Sequence, residues 1–181
     1  MSTTLQEIAT YLQEEDLRFK EDESKNAIFT GFRTKAYWDR DGDPSLPIMI
    51  RLDENGEFVH FIAPRCYEYK DGPHKGAVLE ACLLVNYMTK MVQFEYDPAD
   101  GEVRAVIELP LEDAHLTKRQ FLRCLTGLAG VVDHYHDVIQ TAIDTGKVIR
   151  EDPGELLREF MEFMRRRRAR SGGAPSLDLD E

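Results

Sequence analysis

The densest group of chemistry-bearing side chains is the run Asp133-His134-Tyr135-His136-Asp137. On a helix Asp133 and His136 share a face, and imidazole and carboxylate groups are common ligands of zinc and other transition metals. A zinc site also needs a third or fourth ligand and neighbours that orient the first ones, and the sequence identifies none. We therefore predict no metal and no cofactor, and a metal-dependent sensor at Asp133 and His136 is the weaker alternative.

A second acidic run, Asp39-Arg40-Asp41-Gly42-Asp43, has the carboxylate rhythm of a calcium-binding loop. The remaining requirements of that loop are missing. Glycine is the fourth residue instead of the sixth, Pro44 occupies the sharp turn, and Ile50 stands where a bidentate glutamate belongs. The run is interpreted as a solvated loop between two strands.

Signatures of hydrolases and nucleotide-binding enzymes are missing from the sequence, including G-x-S-x-G, H-E-x-x-H and G-x-x-x-x-G-K-[ST]. Cys66 lies near His60 and His74 along the chain, but a nucleophile and its base are defined by spatial pairing. The three cysteines are odd in number and contain no C-x-x-C, which favours reduced, buried thiols over a disulfide framework. We predict no catalytic residue and a protein that is not an enzyme.

The net charge of −11, from 23 basic and 34 acidic residues, disfavours binding of the main body to a phosphate backbone. No stretch reaches the roughly 20 apolar residues that span a bilayer, and the N terminus lacks a basic region followed by an apolar one. The expectation is a cytoplasmic protein with no membrane partner. With 181 residues, one domain and a tail are expected.

One basic cluster near the C terminus could bind phosphates, as arginine runs do in nucleic-acid-binding arms. Its members are Arg165, Arg166, Arg167, Arg168 and Arg170. A helix C terminus also favours cations, and Glu159 and Glu162 supply acidic neighbours. From Glu151 onward the segment holds six arginines and eight acidic residues. A solvated helix end is preferred, and a nucleic-acid-associated regulator that uses this cluster is kept as the alternative.

Two alternating segments, each folding back at a turn signal, bracket an apolar helix. In the first, Ile48, Ile50 and Leu52 precede Asn55-Gly56, whose residues tolerate the positive φ of a hairpin turn, and Phe58, His60 and Ile62 follow. In the second, Val92, Phe94 and Tyr96 face Val103, Ala105, Ile107 and Leu109 across Asp100-Gly101. The helix between them, over 73–90, leaves almost no polar face and is expected to be enclosed on most sides.

The block is preceded by a helix and a region of strands. Thr4 and Glu7 fit a capping box at the start of the first helix. A strand is possible around Leu17 and Phe19, and a further one is expected over 27–38. The predicted class is α+β in the order α-β-β-β-α-β-β-α, with an antiparallel sheet packed against helices and a further C-terminal helix.

The last helix of this order is predicted from Leu116 to Thr145, where Gly146 ends it. Apolar residues recur along it at alternating spacings of four and three, a heptad-like seam. The seam consists of Phe121, Leu125, Leu128, Val132, Tyr135, Ile139 and Ala142. This pattern fits either a homodimer or partner-protein interface or a face that packs on the chain's own sheet, and the sequence leaves both open.

We expect a domain over 1–148, an amphipathic Arg-rich helix over 149–170, and a disordered tail over 171–181, where little apolar surface is available. The helix is expected to bury one apolar stripe. The stripe consists of Leu157, Phe160, Met161 and Met164.

The order of elements resembles that of the YbjN-like family, small bacterial proteins proposed to regulate sensory transduction, whose fold looks like that of type III secretion chaperones. The resemblance is carried by residues 46–62, 77–96, 102–111 and 116–135, and it covers roughly 4 to 145. It implies an α+β sandwich, homodimerisation and binding of protein partners without catalysis. The leading functional hypothesis is therefore a dimeric, non-enzymatic, chaperone-like or adaptor protein that holds a partner protein.

Overall fold

The computed structural model describes residues 2–150 and Glu162. Within 2–150 the chain forms four helices, six strands and two short 3-10 turns. The helices are α1 (Leu5–Glu14), α2 (Lys75–Met88), α3 (Lys118–His134) and α4 (His136–Thr145). The strands are β1 (Phe19–Asp22), β2 (Ala27–Arg33), β3 (Ser45–Asp53), β4 (Phe58–Glu68), β5 (Gln93–Tyr96) and β6 (Glu102–Pro110).

The six strands form one antiparallel sheet in the order β1-β2-β3-β4-β6-β5. The predicted α+β class and the order of elements are confirmed. The strand predicted around Leu17 and Phe19 exists as β1, which pairs with the first half of β2. Because β6 joins β4 directly, the second hairpin continues the sheet that the first one begins.

The core lies between the sheet and the helices, and one row of side chains across four strands marks its centre. Ile28, Ile50, Phe61 and Ile107 stand opposite one another in consecutive strands, and each is at most 1% exposed. Phe121 of α3 packs on this row, with its ring 5.7 Å from that of Phe61. Burial of such side chains is the main stabilising contribution, about 1.5–3 kcal/mol each.

The first hairpin turns where Asn55-Gly56 predicts it, but the turn has four residues between the paired Asp53 and Phe58. Glu54, Asn55 and Gly56 all have positive φ. Gly56 is also tied to the N terminus, because Thr3 N–H donates to its carbonyl at 3.0 Å and an added Cβ would lie 2.0 Å from the Thr3 carbonyl oxygen.

The register between β3 and β4 determines which side chains of β4 reach the core. Val59 and Phe61 stand opposite Leu52 and Ile50 on the helix-covered face. The alternating set Phe58, His60 and Ile62 therefore lies on the other face of the sheet, opposite Asp53, Arg51 and Met49.

Two predicted helix termini are confirmed, and the structure divides the long helix in two. Glu7 N–H donates to Thr4 Oγ1 at 3.2 Å and Thr4 N–H donates to Glu7 Oε2 at 2.9 Å, which completes the capping box. Gly146, with φ +71°, ends α4. The helix predicted from Leu116 to Thr145 is interrupted at Tyr135, where ψ is 10° and one helix ends before the next begins.

The chain divides into two units, Met1–Ile149 and Arg150–Glu181. All the elements above belong to the first unit. The predicted helix over 149–170 and the predicted tail over 171–181 lie outside the described residues, apart from Ile149, Arg150 and Glu162.

Candidate partner-binding surface

Asp133, half of the proposed metal pair, accepts backbone hydrogen bonds from another segment. Its Oδ1 atom accepts from the N–H groups of Lys35, Ala36 and Tyr37, at 2.8, 2.8 and 3.1 Å. Three donors at one carboxylate oxygen fix the segment after β2 to the end of α3. The structure therefore gives Asp133 a positioning role in the fold.

His136, the other half of the pair, belongs to an aromatic cluster. Its ring stacks on Tyr67 at 5.8 Å and meets Tyr37 edge-on at 5.6 Å, and its Nδ1 lies 3.2 Å from the Tyr67 hydroxyl. Burial lowers the pKa of His136, with a smaller opposing effect of Asp137, Asp133 and Asp144. Across residues 2–150 and 162, no group of three or more His, Cys, Asp or Glu side chains is placed to hold a metal.

In the acidic loop between β2 and β3, the first carboxylate, that of Asp39, accepts hydrogen bonds from groups of the same loop. Asp39 Oδ1 accepts from the N–H groups of Asp41 and Asp43 at 3.0 and 2.9 Å, and Oδ2 accepts from Ser45 Oγ at 2.9 Å. These bonds, led by the one from Asp43, lower the pKa of Asp39. The carboxylate that would begin a calcium loop is thus committed to a turn.

The three cysteines are buried free thiols. Burial raises the pKa of Cys66 and of Cys82 to about 12, and that of Cys124 to about 11. Because the thiolate is the nucleophilic form, these side chains are unreactive near neutral pH. Their positions agree with the prediction of structural cysteines.

The heptad-like seam is buried within the single chain. Its seven residues, Phe121 to Ala142, are each at most 1% exposed. The sequence allowed either an interface with another protein or a face packed on the chain's own sheet. The structure shows the second, with α3 lying on β4 and β6. The predicted dimer or partner contacts of Phe121, Leu125, Leu128, Val132, Tyr135 and Ile139 would require this core to open.

The exposed apolar surface lies on α2, which the sequence predicted to be enclosed on most sides. One face of α2 is buried through Val78, Ala81, Cys82 and Val85. On another face, Leu83 is 67% exposed and Tyr87 81%, and Met91, after the helix, is 45% exposed. Leu79, half-buried, continues this line at the same four-residue spacing. We call Leu79, Leu83, Tyr87 and Met91 the α2 stripe.

The prediction of an enclosed α2 was wrong because the helix packs at the end of the sheet, against β5 and α4. These neighbours cover one side, and the apolar residues on the other side face solvent. Exposed Leu and Tyr side chains one helical turn apart, with an exposed Met shortly after the helix, are typical of surfaces that bind other proteins. The α2 stripe is the candidate functional site, and it was hidden in the sequence by the equally apolar buried face.

The arginine cluster Arg165–Arg168 and Arg170 lies outside the described residues. In the part of the chain that is described, no helix is both long and apolar enough to cross a membrane.

Comparison with known proteins places the fold and leaves the activity open. No family model matches the chain, and no curated protein matches it. The crystal structure of YbjN from E. coli, a proposed transcription regulator, superposes with a TM-score of 0.51 at 14% identity, covering 78% of this chain and 92% of that one. The resemblance to YbjN is thereby confirmed at the level of the fold.

A chain of the HopA1–SchA chaperone–effector complex is also similar, with a TM-score of 0.48 at 14% identity. It covers 71% of this chain and 88% of that one.

Proposed function

We propose that this protein is a non-enzymatic, chaperone-like or adaptor module that forms a homodimer and holds a partner protein. The observation that carries the proposal is the α2 stripe, in which Leu83 and Tyr87 are exposed one turn apart on a helix whose other face is buried. The residues that resemble reactive centres, Asp133, His136, Asp39 and Cys66, support the non-enzymatic part, since each has a structural partner or is buried.

The apolar area of the α2 stripe supports an interface. Removing apolar surface from water stabilises by about 25 cal/mol per Å², and Tyr and Met are enriched at interfaces. Leu83 and Tyr87 are separated by one helical turn, the spacing with which helices insert anchors into a groove or pack against another helix.

A second copy of α2 is a suitable occupant of the stripe. In a two-fold dimer the same surface is used twice, and helices that cross the axis can pack antiparallel. An axis near Val85 places Leu83 opposite Tyr87 of the partner subunit.

Light scattering tests the dimer. The wild-type mass should be about twice 20.8 kDa at micromolar concentration, and the double substitution Leu83→Glu, Tyr87→Glu should reduce it to 20.8 kDa. Arg119→Glu with Arg123→Glu, two exposed positions on α3, is the matched control and should leave the dimer intact. A wild-type mass of 20.8 kDa would contradict dimerisation.

Partner binding is tested separately by capture from the native lysate with immobilised protein. A specific protein should be retained by the wild type and by the Arg119→Glu, Arg123→Glu control. Deletion from residue 151 onward shows whether the arginine cluster contributes. If no protein is specifically retained by the full chain, the adaptor function is rejected.

A further inference from the structure

The β5 edge of the sheet is closed by a side chain. β5 is the last strand in the sheet order, and β6 is its neighbour on one side. An edge strand presents unpaired N–H and C=O groups that can pair with a strand of another molecule. On the other side of β5 lies α2.

Asn86 of α2 binds both backbone groups of one β5 residue. The Phe94 N–H donates to Asn86 Oδ1 at 2.7 Å, and Asn86 Nδ2 donates to the Phe94 carbonyl at 3.1 Å. In an antiparallel pair of strands, every second residue points its N–H and C=O groups toward the paired strand. The residues between them point both groups to the opposite side. Phe94 thus faces away from β6, and the Asn86 amide takes the place of a residue on a further strand.

The end of α2 extends this cover. Thr89 Oγ1 donates to the carbonyl of Val85 at 2.9 Å and lies 3.3 Å from the carbonyl of Val92, two residues before Phe94. Val92 lies just before β5, so α2 contacts the backbone on both sides of Gln93.

The two edges of the sheet differ in their need for such cover. β1, at the other edge, has the sequence Phe-Lys-Glu-Asp, with three charged residues in four, and charge discourages edge pairing. β5 has the sequence Gln-Phe-Glu-Tyr, with one charge and two aromatic residues that favour strand pairing.

We propose that the Asn86 amide closes the β5 edge and prevents a second copy of this chain from adding to it edge to edge. The occupant excluded is a second β5, whose antiparallel pairing would use the Phe94 N–H and C=O groups that Asn86 now occupies. This inference does not depend on the proposed dimer, and it is tested in the Leu83→Glu, Tyr87→Glu background so that association through the α2 stripe is absent.

Asn86→Ala removes both bonds. At a protein concentration low enough to keep the variant monomeric, the Phe94 amide should then exchange with deuterium about tenfold faster, the effect of losing one hydrogen bond. The mass measured by light scattering should rise with concentration above that of the parent. Adding Gln93→Lys, a charge on the edge strand, should suppress the association without restoring Phe94 protection.

Asn86→Leu, an apolar side chain of similar size, is the second variant if Asn86→Ala does not fold. It also removes both bonds to Phe94 and should associate more than the parent. The proposal is overturned if the folded variants stay as monomeric as the parent. It is also overturned if Gln93→Lys leaves their association unchanged.

Discussion

Removing the Asp133 carboxylate should destabilise the protein by about 3 kcal/mol. Three backbone N–H groups, of Lys35, Ala36 and Tyr37, converge on Asp133 Oδ1 at 2.8–3.1 Å. A hydrogen bond to a charged group contributes about 1.5–3 kcal/mol, and three donors that share one half-buried oxygen contribute less than three separate bonds. Water can also reach part of this segment in Asp133→Ala, so we expect a loss of about 3 kcal/mol, below the roughly 4.5–9 kcal/mol that three separate bonds would sum to.

Asp133→Asn distinguishes the contribution of the negative charge from that of the accepting oxygen. The amide keeps a carbonyl oxygen in the place of Oδ1, so the loss should be about 1 kcal/mol. For a chain of this size about 2–4 °C of melting temperature corresponds to 1 kcal/mol, which gives roughly 6–12 °C for Asp133→Ala. Asp113→Ala, an exposed carboxylate in a loop, is the control and should change stability by less than about 0.5 kcal/mol.

Urea unfolding followed by circular dichroism and by the fluorescence of Trp38 measures both variants. Trp38 is the single tryptophan of the chain and directly follows Tyr37, so it reports on the segment that Asp133 fixes. The reasoning is refuted if Asp133→Ala loses less than about 1 kcal/mol, or if Asp133→Asn loses as much as Asp133→Ala.

Three further predictions follow from burial and backbone conformation. Because burial lowers the pKa of His136 from 6.5, stability should fall as the pH drops below 6.5 toward the lowered pKa. The denaturation midpoint of His136→Gln should be less dependent on pH in that window, and equal slopes would contradict this. All three thiols, with pKa values raised to about 11 or 12, should react with a thiol reagent at pH 8 more than about a hundredfold slower than free cysteine; rapid labelling of the folded protein would disprove it. Gly56→Ala should cost more than about 2 kcal/mol, while Gly42→Ala, also at positive φ but with open space around it, should cost about 1 kcal/mol in urea unfolding, and equal losses would rule out the steric contribution.

Local sequence signals were sufficient for much of the fold. Phe94 and Tyr96 pair with Ala105 and Val103 as their alternation predicts, and the Thr4 capping box forms. Each of these features is decided by residues within one hairpin or one helical turn, so the sequence contains the relevant information.

The candidate site was not predictable in the same way. The seam from Phe121 to Ala142 has a periodicity that fits a dimer and an intramolecular core equally well, and packing against Phe61 decides between them. Leu83 and Tyr87 look like core residues in the sequence, since nothing local shows that α2 lies at the end of the sheet. The role of Asn86 could not be predicted from the sequence either, because it depends on the position of Phe94 in three dimensions.

The sheet order also determines how the chain can fold as it is synthesised. β1 to β4 pair in sequence, so this half can form from local contacts, whereas Phe58 of β4 pairs with Pro110 of β6, beyond α2 and β5. Contacts between distant residues form slowly because a long loop must close first. During synthesis β4 is therefore a temporary edge, exposed until β6 has left the ribosome, and refolding should be limited in rate by the joining of β6 to β4.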